Sequence, residues 1–313
     1  MDVRGRFHVR TSRIPPALLL VLLATSLSTG GGAEAQTSGL PKRPTAQLAS
    51  PAPVPFGPGE ILEYDVKLGW FGKRGEGYMA VVGLDSIRGR TVYHVAMGVK
   101  GGLPLARVDD LQESWFDVSN LVSLRFIQDL DEPGYERYRH FEIFPEDLRW
   151  ERKDNGNSGP IANPLPLDDI SFFYFVRSLP LEVGKEYSFD RYFKEDGNPV
   201  IVRVLRKDTV EVPAGTFPTI VVEPVIQTEG AFEEGKAELF FSDDENRHLV
   251  LMTSKIPVIG SLSLHLRSIT EGVPLRPLNA VGAEEIRTRL SLPPSSRAGG
   301  TEPGDGSGDE AGL

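Results

Sequence analysis

The chain has 313 residues, with 34 basic and 44 acidic side chains, 33 glycines, 25 prolines and no cysteine. This length suits one large domain or two small ones, and the lack of cysteine excludes a disulfide framework, a thiol nucleophile, an iron–sulfur cluster and Cys-ligated zinc. The formal net charge of -10 argues against a nucleic-acid partner, because neutralising phosphates requires a basic face.

The first 35 residues have the pattern of an export signal. Arginines from Arg4 to Arg13 precede an apolar run, Ala17 to Ala24, and the small-x-small triplet Ala33-Glu34-Ala35 follows. The apolar run is much shorter than the roughly 20 residues that a membrane-spanning helix needs. Residues 1–35 are therefore predicted to be a signal peptide rather than a permanent membrane span, and the chain is predicted to be exported to the periplasm or the cell exterior.

Segments of low complexity flank the predicted folded region. Residues 36–55 contain five prolines among small polar residues, which predicts a stiff, extended linker. Residues 274–313 are predicted to hold one short helix, within Asn279 to Leu290, followed by a disordered acidic tail rich in glycine and proline. The folded domain is predicted to span residues 56–273.

An alternation of apolar and polar side chains runs through this domain and predicts β-strands. In the first strand, Leu62, Tyr64, Val66, Leu68 and Trp70 alternate with polar residues or glycine. Twelve further segments show the same period: 78–84, 92–99, 113–117, 121–128, 135–144, 148–153, 187–194, 200–206, 216–227, 236–241, 248–254 and 261–269. Short turns join most of these runs and leave no room for crossover helices, so an antiparallel meander is expected.

One interior segment departs from the alternation. Asp168-Asp169 precedes the aromatic run from Ile170 to Ser178, and Leu179-Pro180 follows it. Acidic residues at its start and Arg177 near its end suit the helix dipole, which favours a short helix. A buried aromatic strand is the competing interpretation, because aromatic residues are common in strands.

The predicted fold class is therefore all-β and mainly antiparallel. More than about ten strands make a sheet curl or split into layers. Two architectures fit: a strongly curved meander sheet, or two half-barrels that share the interior helix. Length alone leaves one domain or two open.

Several motifs resemble a bacterial exported family known as domain of unknown function (DUF) 3108. They begin with Phe56-Gly57-Pro58-Gly59-Glu60-Ile61-Leu62-Glu63-Tyr64 and Trp70-Phe71-Gly72. Similar stretches follow at 168–181, at Val212-Pro213-Ala214-Gly215-Thr216-Phe217 and at 241–247. The resemblance covers essentially the whole predicted domain and implies an exported location and a shared fold. The family has no established activity, so no catalytic residue is implied.

Known catalytic and metal-binding patterns are not evident in the sequence. Acidic residues are abundant between 109 and 132, yet nothing in their spacing singles out the carboxylate pair of a glycosidase. Each of the four histidines after residue 35 is alone on its predicted strand, so no zinc site is expected. The sequence therefore predicts neither a catalytic residue, a metal site nor a cofactor.

Aromatic residues spread over many strands suggest a different activity. On a curved sheet they either fill the core or line a cavity for an amphiphilic ligand. The favoured hypothesis is a non-catalytic envelope protein that binds a lipid or glycan on the concave face near the helix, with Arg177, Tyr174, Tyr64 and Trp70 as ligand-binding residues. An interaction protein that assembles with envelope partners through its sheet edges is the alternative, and a hydrolase of envelope glycan ranks third.

Overall fold

A computed structural model describes residues 54–103, 106–226, 236–256 and 260–275. The predicted export signal, nearly all of the linker, and the C-terminal helix and tail lie outside these residues. Within them the structure is an antiparallel β-sheet with one short α-helix. The predicted all-β fold class is confirmed.

The described residues form fourteen strands in one sheet. The strands are β1 (Ile61–Leu68), β2 (Gly72–Ile87), β3 (Arg90–Leu103), β4 (Ala106–Asp117), β5 (Ser123–Glu132), β6 (Tyr135–Phe144), β7 (Arg149–Arg152), β8 (Ser158–Pro160), β9 (Glu186–Phe189), β10 (Val200–Val212), β11 (Gly215–Val225), β12 (Ala237–Ser242), β13 (Leu249–Ile256) and β14 (Gly260–Thr270). Their spatial order is β8-β7-β6-β5-β4-β3-β2-β1-β14-β13-β12-β11-β10-β9. The pairing of β1 with β14 joins the two halves into one continuous meander.

The first strand is shorter than the alternation predicts. Leu62, Tyr64, Val66 and Leu68 are buried as expected, but β1 ends at Leu68 and Trp70 is 74% exposed. Gly69 adopts a φ of 39°, a left-handed conformation that glycine tolerates without a steric penalty, and the chain enters a 3-10 turn over Gly69–Phe71. Trp70 therefore lies on a turn rather than on the inner face of a strand.

The interior segment is a helix, α1 (Ser171–Arg177), and the competing strand interpretation is wrong. All seven helical residues are buried. The carboxylate of Asp168 accepts hydrogen bonds from the backbone N–H groups of Ile170 at 2.9 Å and Ser171 at 2.8 Å. These bonds satisfy donors that the first helical turn leaves without helical partners, which explains why the helix starts here.

The sheet curls around this helix. Tyr174 packs against Phe116 of β4 with ring centroids 5.7 Å apart, and its neighbour Phe175 packs against Phe189 of β9 at 5.2 Å. In the sheet order β4 and β9 are nine places apart, a distance of roughly 43 Å in a flat sheet. A seven-residue helix is only about 10 Å long, so strong curvature is needed to bring both strands to it.

The meander places alternate hairpins at opposite ends of the sheet. The turns that join β1 to β2, β3 to β4 and β5 to β6 lie at one end, here called the mouth end. The turns that join β2 to β3, β4 to β5 and β12 to β13 lie at the other. Tyr174 contacts Phe56, just before β1, and Phe116, near the end of β4. The second end is therefore called the helix end.

Within the described ranges, none of the helices has both the length and the apolar character required to cross a bilayer.

Candidate functional site

The interior at the helix end is filled by large aromatic side chains. Phe56 packs edge-on against Tyr93 and Tyr174, with ring centroids 5.4 and 4.8 Å apart, and Phe116 joins the same group. All four residues are no more than 1% exposed. This part of the interior is a packed core with contacts of the kind that stabilise aromatic clusters.

Arg177 forms a buried ion pair beside this core. Its Nη1 and Nη2 atoms donate to the Glu60 carboxylate at 2.5 and 2.8 Å, and Nη2 also donates to the carbonyl oxygen of Asn246 at 2.8 Å. Arg177 is 3% exposed and Glu60 is 1% exposed. Burial works against the charged guanidinium, but the charge and hydrogen bonds of Glu60 outweigh it and raise the pKa of Arg177.

Three of the four residues predicted to bind a ligand meet around this pair. The guanidinium of Arg177 lies 5.7 Å from the ring centroid of Tyr174, and the hydroxyl of Tyr64 donates to the carbonyl oxygen of Leu249 at 2.9 Å. Burial raises the pKa of both tyrosines far above the usual value. The fourth residue, Trp70, lies at the mouth end.

The contacts of Arg177 bear on the predicted ligand-binding role. An anionic head group that approached this guanidinium would have to displace Glu60, which already occupies both Nη atoms. Binding by Arg177, Tyr174, Tyr64 and Trp70 stays a prediction. A recess of about 750 Å³ lies beside Arg177 and is also lined by residues 243–247, and a larger recess lies at the mouth end.

A recess of about 1310 Å³ opens at the mouth end. This volume exceeds the roughly 300–1,000 Å³ that is typical of small-molecule pockets. Its lining comes from the turn after β1 and from β2 to β5: Phe71, Arg74, Lys100, Gly101, Gly102, Leu103, Arg107, Val108, Asp109 and Asp131. Sequence reasoning missed this recess.

A second, very small pocket of about 10 Å³ adjoins the recess. It shares five of the residues that line the recess and adds Val66, Leu68, Gly75 and Val99, of which the three apolar side chains are buried. A β-carbon at the neighbouring Gly77 would stand 3.5 Å from a methyl group of Val66 and of Val99. Side chains therefore pack closely beneath the recess.

Charged side chains surround the entrance. The lining holds three cations, Arg74, Lys100 and Arg107, against the two carboxylates of Asp109 and Asp131, a net charge of +1. Lys100 and Asp109 form an exposed ion pair at 2.9 Å. The positive excess is local, because the whole chain carries -10.

Trp70 lies beside this entrance, outside the lining of the recess, and away from the Arg177 cluster. Its ring centroid is 5.3 Å from that of Phe71, which lines the recess. The predicted ligand-binding tryptophan thus lies beside the recess at the mouth end, although on a turn and not on the concave face of β1.

A row of buried polar side chains follows β4 inward from the recess. Asp110, Gln112 and Ser114 share the face of Val108, which lines the recess, and of Phe116, which packs against the helix. The Gln128 side chain on β5 donates to Gln112 at 3.3 Å. This row connects the mouth with the start of α1.

Two carboxyl groups in this row have raised pKa values. Burial raises the pKa of Asp110 to about 7, opposed by a backbone hydrogen bond from Asp131, and nearby carboxylates add to the increase. Burial, with the charge of Asp110 adding to it, raises the pKa of Glu132 to about 8. Asp110 pairs with Leu130 across β4 and β5, so Glu132 is its diagonal neighbour on the same face.

A second polar group forms where the row meets the helix. Ser114 and Ser123 donate to the carboxylate of Asp168, with the Ser114 bond at 2.6 Å. Tyr192 donates to Asp169 at 2.8 Å. Burial raises the pKa of both aspartates. These bonds hold the residues that start α1.

Val108, Asp110, Gln112 and Ser114 occupy every second position of β4 and so share one face. The sequence alone does not assign this face to the interior, because polar residues at every second position normally mark the solvent face of a strand. Among the residues described, no group of three or more His, Asp or Glu side chains is arranged to hold a metal ion.

The fold defines the class of protein: a curled antiparallel sheet with an interior helix packed against it at one end and its larger recess at the mouth end. A family model described as protein of unknown function (DUF3108) matches residues 63–267, and the chain belongs to this family. No match was found among curated proteins.

Three solved structures are similar over about 70% of this chain and all of their own. A β-barrel-like protein of domain of unknown function DUF1849 from Brucella abortus shares 12% identity over 70% of this chain with a TM-score of 0.46. A proposed lipoprotein from Parabacteroides distasonis shares 12% identity over 72% at 0.27. A proposed exported protein with a YmcC-like fold from Bacteroides fragilis shares 11% identity over 71% at 0.26.

Proposed function

We propose that the protein is an exported envelope protein that binds an anionic amphiphile, such as a single-chain lipid, in the recess at the mouth end. The observation that carries the proposal is the combination of a recess of about 1310 Å³, apolar side chains in its lining and cations at its entrance. An acyl chain gains free energy from contact with Phe71, Leu103 and Val108, since apolar surface leaves water. The head group then meets the guanidinium groups of Arg74 and Arg107.

The exported location rests on the sequence of the first 35 residues, with its arginines, apolar run and cleavage pattern. Export places the protein among envelope lipids. A binding function needs none of the catalytic or metal patterns that the sequence lacks.

Dodecyl phosphate, used below its micellar concentration, tests the proposal by isothermal titration calorimetry. Val108→Trp places an indole in the recess, and we expect the affinity to fall about tenfold or more, a change of about 1.4 kcal/mol or more in binding free energy. Val82→Trp is the matched control, because Val82 lies on β2 and is 55% exposed. Equal affinities for the unchanged chain and Val108→Trp would show that the recess is not the binding site.

Native mass spectrometry separates this function from assembly with envelope partners. Protein purified from its own host should carry a bound lipid if it is a carrier, whereas an interaction protein should carry none. Loss of that lipid in Val108→Trp would link the retained molecule to the recess.

Hydrolysis of an envelope glycan is the second candidate, favoured by one observation. Asp110 and Glu132 lie on one face with pKa values raised to about 7 and 8, and a raised pKa suits a carboxyl that donates a proton near neutral pH. Incubation with purified cell-wall glycan and chromatography of the products tests it. Product formation that Asp110→Asn abolishes would favour the hydrolase over the carrier.

A further inference from the structure

We propose that the mouth end docks on the surface of an anionic lipid bilayer through the turn Gly69–Phe71, so that the amphiphile enters the recess directly from the membrane. This inference rests on the proposed function, because it names the source of the ligand. The exposure, position and charge of the residues around the turn favour a bilayer over a protein as the occupant of this surface.

The turn carries an aromatic pair, Trp70 and Phe71, of which Trp70 is largely exposed. Trp70 is 74% exposed on a turn at the end of β1, and its ring lies 5.3 Å from that of Phe71. A tryptophan that leaves most of its surface in water adds little to the stability of the fold. At a membrane interface the same side chain is favourable, because its ring is apolar and its N–H finds a partner among the head groups.

The turn lies directly beside the entrance of the recess. Phe71 lines the recess, so insertion of the turn brings the entrance of the recess to the level of the lipid head groups. Val82 and Tyr138 are also exposed, at 55% and 53%, but they lie within strands β2 and β6, away from the hairpin tips. Of the exposed aromatic residues described, Trp70 lies on a turn, whereas Tyr78 and Tyr138 lie within strands.

The charge at the entrance of the recess is complementary to an anionic lipid surface. Arg74, Lys100 and Arg107 surround the same entrance, and cations near a bilayer are attracted to anionic lipids. Asp109 and Asp131 lie among them and reduce the excess to one positive charge. Attraction to anionic lipid therefore orients the mouth toward the membrane, while insertion of Trp70 provides most of the binding.

Sedimentation with vesicles of phosphatidylglycerol and phosphatidylethanolamine tests the docking. We expect the unchanged chain to bind, and Trp70→Ala to lower its partition coefficient about tenfold or more. Tyr138→Ala is the matched control, because it removes an exposed aromatic residue from β6 and should leave the partition coefficient within about twofold. Vesicle binding should also shift the tryptophan emission to shorter wavelength in the unchanged chain but not in Trp70→Phe.

A second measurement separates this inference from the proposed function. Trp70→Ala should bind dodecyl phosphate with the affinity of the unchanged chain, since Trp70 is not part of the lining. Vesicle binding that survives Trp70→Ala, or that is equally lost in Tyr138→Ala, would overturn the docking surface. Failure of the unchanged chain to bind dodecyl phosphate would instead overturn the proposed function, whatever the vesicle result.

Discussion

The Arg177–Glu60 pair joins three separate parts of the chain. Glu60 precedes β1, Arg177 ends α1, and Asn246, which also accepts a bond from Arg177, lies in the loop between β12 and β13. Two charges in a dry interior are stable only while they satisfy each other, because each has lost its hydration. The pair therefore holds the helix end together, provided that both partners are present.

Removing one partner should be severe. We expect Glu60→Gln to lower the free energy of unfolding by about 3–5 kcal/mol, because Arg177 then remains buried without its counter-charge. Urea denaturation measures the change. Glu238→Gln is the control: Glu238 also makes two hydrogen bonds to an arginine, Arg206, at 2.9 Å each, but both side chains are partly exposed, so we expect a loss below about 1 kcal/mol. Equal losses in the two variants would contradict a structural role for the pair.

Asp110 makes stability depend on pH. Its pKa of about 7 in the folded chain lies above the value of about 3.9 in an unfolded chain. The folded state therefore binds a proton more tightly than the unfolded state. Its stabilising contribution is complete below about pH 4 and is lost as the pH rises through 7.

Asp110→Asn tests this sign, because an amide resembles the protonated carboxyl. We expect little change at pH 4 and a gain of about 1–2 kcal/mol at pH 8, a figure that allows for water reaching and screening part of the group. Asp109→Asn, which changes an exposed carboxyl on the other face of β4, controls for the removal of a charge. A gain at pH 4 that vanishes at pH 8 would reverse the assignment.

Hydrophobic alternation predicted most of the strands, but the predicted β4 is shorter than the observed strand. The sequence predicts a strand only from residue 113, whereas β4 begins at Ala106. Asp110 and Gln112 are polar yet face the interior, so the rule that links polarity with solvent fails there. A local sequence pattern does not distinguish buried polar residues such as these from polar residues on the surface.

Helix α1 shows how a short element depends on its surroundings. Seven residues are too few to form a stable helix alone. Because all seven are buried, the segment has no polar face that would indicate a helical period. Asp168 and the aromatic contacts of Tyr174 and Phe175 decide the outcome. The sequence predicted the helix from signals at its two ends, Asp168-Asp169 before it and Arg177 in its last turn.

The sequence pointed to residues that lie together at the helix end, but it did not point to the recess. Arg177, Tyr174 and Tyr64 do meet, because the helix and the start of β1 share one end of the sheet. The recess depends instead on residues from the turn after β1 and from β2 to β5. Contacts across so many strands follow from the curl of the sheet, which no local pattern encodes.

The whole molecule divides its interior between packing and space. Phe56, Phe116 and Tyr174 fill the interior at the helix end, while a recess opens at the mouth end. Aromatic packing and the larger recess thus lie at different ends of the same strands. The arrangement lets an open recess exist without weakening the core that holds the sheet in its curved form.

Amide hydrogen exchange should reveal this division within single strands. In β2, we expect Met79, Ala80 and Val81 to exchange slowly, because they are buried next to the packed helix end, and the amides of residues 73–77 to exchange faster. Regions with few buried apolar contacts open at a lower free-energy cost than the core. Dodecyl phosphate should slow exchange at residues 73–77 and leave residues 79–81 unchanged, since a ligand protects the region that it contacts. Uniform exchange along β2, or protection confined to residues 79–81, would mean that the two ends are not energetically distinct and that the recess is not where the amphiphile binds.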